Sequence, residues 1–158
     1  MEHVGRFLTV SAIAVEPVAN GTGPNLTSRT VTRNIVRDVQ PATEPWRIAA
    51  FSAQVTTDGH ISATGKGLVF AGGDTIGTAL LVTDGATAAS INVFATIICE
   101  PVAPFDEHDS NPVPLAANGD FQINDVLSPP PPSSCTTPVL FIRNAGNKTW
   151  FAVGVPVQ

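Results

Sequence analysis

The densest group of ligand-type side chains lies in one short run: Asp106, Glu107, His108, Asp109 and Asn111. Oxygen donors at alternating positions can wrap a hard cation such as Ca²⁺, and the imidazole of His108 suits a transition metal. The run lacks the glycine and the distal glutamate of an EF-hand loop. The same residues therefore also read as a solvated turn. The other histidines, His3 and His60, sit near the chain start and in a turn, and no spacing brings three imidazoles to one metal.

Nucleophilic chemistry is poorly supplied. There is no G-x-S-x-G elbow. Ala71-Gly72-Gly73-Asp74 is glycine-rich but is not followed by the Lys-Ser/Thr pair of a phosphate-binding loop. Cys99 and Cys135 are the only cysteines. Either one beside a histidine would form a dyad in space, but a disulfide between them is the simpler account. Bridging would stabilise the fold by roughly 3–4 kcal/mol through chain entropy and would imply an oxidising, extracellular or periplasmic compartment. The other option is a pair of buried thiols. Trp46, Phe51, Phe70 and Phe94 are the candidates for lining an apolar pocket, with Gly65, Gly67, Gly72 and Gly73 leaving room. These residues carry no assigned catalytic role.

The elements that would position these residues read as strands. Apolar residues alternate with Thr, Ser and Ala, and turn dipeptides close each run. Asp58-Gly59 predicts a hairpin between 46–56 and 60–70, because Asp and Gly tolerate positive φ. Asp84-Gly85 predicts a second hairpin between 75–83 and 86–99. Ala117-Asn118-Gly119-Asp120 predicts a third between 113–116 and 119–126, and the turn 144–148 a fourth between 138–143 and 149–155. The run Val93 to Cys99 is apolar on both faces, the pattern of a strand covered on both sides. Pro129 to Pro132 is a stiff extended connector. No window keeps a helical period. The pattern predicts an all-β antiparallel β-sandwich of eight to ten short strands, with a small closed β-barrel as the alternative.

Residues 4–15 read as one strand. Phe7 to Val15 follows Arg6 and looks like a short export segment, but Thr9 and Ser11 interrupt it and no clean cleavage site follows. Residues 16–45 are rich in Pro, Gly, Asn and Thr and carry Arg29, Arg33 and Arg37. The expected organisation is therefore an N-terminal strand and arm over 1–45 and a sandwich over 46–158. Sequons stand at Asn20, Asn25 and Asn147.

The 158 residues suit one domain with a real core. Only 13% are charged against 43% hydrophobic, and the net charge is −5. The usual charged share is about 25%. An acidic chain without basic clusters argues against nucleic acid. No apolar run reaches the length of a spanning helix. Low charge density fits a subunit that buries surface in an assembly.

The GDFQI hairpin, the proline connector and PVLFIRN resemble the end of transthyretin-like and immunoglobulin-like modules. GLVFAGG, the cysteine placement and PVLFIRN…WFAVGVP also resemble small bacterial β-proteins without an assigned activity. Both resemblances imply a fold and neither implies catalytic residues. The expected function is structural or binding, through self-association or a partner, with the arm adding a strand to a neighbour. A homo-oligomer is the expected state. A small barrel enzyme with an apolar pocket, or a secreted metal-binding module using the acidic loop, are the alternatives.

Overall fold

The structure is a computed structural model and describes residues 3–9, 17–19, 29–31, 34–42, 46–71, 77, 79 and 91–157. The strands in chain order are β1 (His3–Thr9), β2 (Pro17–Ala19), β3 (Arg29–Val31), β4 (Trp46–Arg47), β5 (Ala50–Thr56), β6 (His60–Lys66) and β7 (Val69–Phe70). They continue with β8 (Asn92–Ile98), β9 (His108–Asp109), β10 (Val113–Pro114), β11 (Phe121–Val126), β12 (Val139–Asn144) and β13 (Trp150–Pro156). The fold is all-β and antiparallel, a sandwich. Its main sheet runs β10-β8-β12-β13-β1-β5-β6-β11, with β9 also on the free edge of β8. β2 pairs β3, and β4 pairs β7, as two small separate sheets.

The alternation read from the sequence sets the faces. In β6, Ile61, Ala63 and Gly65 are buried while Ser62, Thr64 and Lys66 face water. β8 is buried at every residue after Asn92, as its continuous apolar run requires. The β5–β6 hairpin closes at Asp58-Gly59. Gly59 has φ +88, its N–H donates to Thr56 O at 2.9 Å, and Asp58 Oδ1 accepts from the His60 N–H at 3.2 Å. The Asp58 carboxyl is held below its ordinary value, first by the Thr56 hydroxyl and then by that His60 N–H. β12 and β13 pair as expected, with an irregularity between Ile142 and Arg143.

The third predicted hairpin differs. Its turn forms: Gly119 N–H donates to Ala116 O at 2.8 Å, and Ala116 N–H to Asp120 O at 3.0 Å. Beyond the turn its arms part. β10 pairs β8 and β11 pairs β6. Pro112 and Pro114 lack the N–H groups that a β10–β11 ladder would need. This is also why the sheet is not closed into the barrel that stood as the alternative. The ends of the sheet come side by side, but their backbones meet in one isolated bridge, Asp109 with Ser128.

The ladder passes from β13 to β5 through β1. Phe7, Leu8 and Thr9 face Pro156, Val155 and Gly154, while Gly5 to Leu8 face Val55 to Ser52. Without β1 the sheet would fall into two halves, β5-β6-β11 and β13-β12-β8. One core fills the space inside, with Phe70, Phe141 and Phe151 among its largest fully buried side chains. Segment 34–42 packs on the same core through Val39 and Ala42. The predicted hairpin at Asp84-Gly85 and the continuation of the first strand to residue 15 lie outside the described residues.

Candidate functional site

The acidic loop turns inward. Among the described residues the buried polar side chains are Thr96, His108, Ser110 and Arg143, and all four lie where β8, β9 and β12 meet. Arg143, only 4% exposed, pairs with Glu107 at 3.0 Å. It also donates to Lys148 O at 2.9 Å and to Thr96 Oγ1 at 3.1 Å, and lies 5.2 Å above the Phe94 ring. Thr96 Oγ1 donates to Asp109 Oδ1 at 2.6 Å. Ser110 Oγ accepts the Ala95 N–H at 2.8 Å.

The carboxylates of Glu107 and Asp109 are thereby engaged in different directions. Glu107 faces Arg143 and Asp109 faces Thr96. The backbone N–H of Asp106 donates to Glu100 Oε1 at 2.7 Å, which closes the loop on itself. Asn111 offers its backbone N–H to Asp125 Oδ2 at 2.7 Å. His108 is buried, and its Nδ1 lies 2.8 Å from Pro129 O, so this nitrogen carries the proton. Its Nε2 has no hydrogen-bond partner among the described residues. Nor do three His, Cys, Asp or Glu side chains come together among those residues.

A threonine hydroxyl between a carboxylate and a guanidinium resembles an activated nucleophile. Thr96 has 0% exposure, so no substrate reaches it. The network instead fastens β9 and β12 to β8. Sequence reading missed Thr96, Ser110 and Arg143. The signal was present, since an arginine closing the apolar run Val139 to Ile142 must find a partner if it is buried.

The aromatic candidates separate into three places. Trp46 stacks between Phe70 and Phe151, with ring centroids 4.1 and 4.2 Å away. Phe51 faces Phe121 at 6.4 Å, and Phe94 lies under Arg143. All are packed core residues. An open cleft of about 450 Å³ lies elsewhere, at the seam where β10 and β11 part. Its lining includes Lys66, Val113, Pro114, Phe121 and Gln122. Gly65 also lines it, and the Phe121 ring packs so close that a Cβ at this position would overlap it.

Cys99 and Cys135 form a disulfide, with S–S 2.10 Å and Cα atoms 5.1 Å apart. Thr137 Oγ1 donates to Cys99 O at 2.8 Å, and Arg37 reaches the same corner from segment 34–42. Burial pulls the Arg37 guanidinium below its ordinary value, and the Glu100 charge opposes that pull. Among the described residues no helix is long and apolar enough to cross a membrane. No family model matches the chain, and no similar curated protein or solved structure is found.

Proposed function

We propose that the protein is a non-catalytic structural or binding sandwich that works by association, with a second copy of itself as the partner and β1 as the strand it adds. The observation that carries this reading is the place of β1. A strand from near the chain start fills a slot between β13 and β5, and its removal leaves two unpaired edges. The same strand from a neighbouring copy would satisfy both edges at no cost in contacts. Low charge density supports a surface meant for burial, and the disulfide supports an extracellular or periplasmic setting.

The register supplies the test. Leu8 and Ser52 are Cα partners in the β1–β5 ladder. A Leu8→Cys, Ser52→Cys variant, refolded at high concentration and oxidised, should give covalent dimers and longer species on a non-reducing gel. Mixing separate Leu8→Cys and Ser52→Cys chains should give a crosslinked heterodimer. Intrachain crosslinking alone, together with a monomer mass in light scattering at every concentration, would overturn the reading.

A further inference from the structure

Segment 34–42 is the described stretch that joins the arm carrying β1 to the body, and it is held unusually firmly. It turns through Val36 to Val39, whose backbones exchange hydrogen bonds of 3.1 and 2.8 Å. The central residues, Arg37 and Asp38, adopt φ of 46° and 65°. For residues other than glycine that conformation costs about 1–2 kcal/mol each. Contacts outside the turn must offset that cost.

Two sets of contacts do so. On one side Trp150 binds the segment three times. Its Nε1 donates to Asn34 O at 3.2 Å, its N–H to Gln40 O at 2.8 Å, and its carbonyl accepts from Ala42 N–H at 3.0 Å. On the other side one nitrogen, Arg37 Nη1, donates to two carbonyls, Ile98 O at 2.8 Å and Thr137 O at 2.7 Å. Ile98 directly precedes Cys99, and Thr137 closely follows Cys135. The disulfide, with the Thr137 hydroxyl on Cys99 O and the Ile98–Val139 pair of the β8–β12 ladder, therefore fixes the separation of the two carbonyls that this nitrogen spans. Cys99 is buried, while Cys135 is part-exposed and open to attack.

We propose that the Cys99–Cys135 bond and Arg37 form a redox-operated latch that pins segment 34–42 to the body. The device rests on the strand-exchange reading above, since what it governs is how readily β1 leaves its own slot. A dithiol reductant opens it. One thiolate attacks Cys135 Sγ and expels the Cys99 thiolate, and the second displaces Cys135. Two electrons pass to the protein, the reductant closes as its own disulfide, and both cysteines take up protons. Thr137 is then held beside Ile98 only by its hydroxyl on Cys99 O and by the neighbouring Val139, so its carbonyl shifts, Arg37 loses one of its two acceptors, and the strained turn relaxes.

Hydrogen exchange on the full chain, read by mass spectrometry, tests the latch. Exchange over 34–42 should rise about tenfold on reduction by dithiothreitol, the loss expected for one charged hydrogen bond. Arg37→Ala with the disulfide intact should give at least that rise, because both of its hydrogen bonds are lost. Residues 50–66 should stay unchanged in both. No change over 34–42 in either state overturns the proposal. So does a rise in Arg37→Ala alone, which removes the disulfide from the device, and so does a rise that includes 50–66, which makes the bond a general staple. Particle mass measured on the same samples separates the two readings. Local loosening with growth in mass supports both. Local loosening with a constant monomer mass supports the latch and sinks strand exchange.

Discussion

The two half-sheets meet at two junctions built from opposite materials. At β1 the join is a backbone ladder on both sides, contributed by a strand close to the chain start. At the seam the backbone contributes one bridge, Asp109 with Ser128, and side chains do the rest. Asp125 caps the Asn111 N–H, and His108 Nδ1 donates to Pro129 O. A ladder accepts any strand of suitable pattern, whereas a side-chain stitch accepts only its own partners. On the proposed reading the β1 junction is the one that exchanges occupants, and the seam is not. The proposal thus makes one joint of the sandwich replaceable and the other fixed.

The largest loss should come beside the fixed joint, at the Glu107–Arg143 pair, which ties the stretch carrying β9 to β12. Arg143 is buried and Glu107 is 40% exposed in its side chain. Glu107→Gln leaves a buried guanidinium without its counter-charge, and we expect a loss of about 2 kcal/mol, below the range for fully buried pairs because water reaches Glu107. Arg143→Met leaves a carboxylate that water can solvate, so it should cost less. The double variant should recover most of the loss. Urea titration of the three variants checks this order, and an equal cost for both single changes would show that the pair does not anchor β9.

Next comes Gly65 in the lining of the cleft. Gly65→Ala places a methyl group inside the Phe121 ring, which must swing into the seam. Overpacking of this kind costs about 1–3 kcal/mol. Phe121→Leu made together with Gly65→Ala should be less destabilised than the sum of the single changes. Additive losses in thermal unfolding would mean that the ring and the glycine do not couple between β11 and β6.

Turns were legible in the sequence because their chemistry is local. Asp58-Gly59 and Asn118-Gly119 form the turns their φ tolerance predicts, and the room left at Gly65 is taken by the Phe121 ring. What the turn at Asn118-Gly119 could not disclose was where its arms go. That choice depends on Pro112 and Pro114 and on edges contributed by β6 and β8, which are distant in the chain. The acidic loop was misleading for a related reason. A run of carboxylates looks solvated until the buried cation that claims one of them is found, and Arg143 belongs to another strand. The cysteine pairing was readable because two cysteines allow one bridge. The role of Arg37 beside it was not, because its acceptors are backbone carbonyls that no residue type marks.

The smallest effect tests the stitch itself. Asp125 accepts the Asn111 N–H at 2.7 Å and the Val126 N–H at 2.8 Å. These two bonds, the first the larger, hold its carboxyl below the usual carboxylate range against the opposing pull of desolvation. A folded-state value depressed below the unfolded value of about 3.9 means that the ionised form stabilises the fold. That contribution is complete above the unfolded value and is lost as the pH falls through the folded one. Asp125→Asn should thus be slightly less stable than the parent at neutral pH, and the gap should close on acidification below the unfolded value. Solvent screens the site, so the gap should be small. If the two unfolding curves stay equally far apart in acid, Asp125 works through shape rather than charge. The seam would then be held by Asp109 with Ser128 and by His108 on Pro129 O.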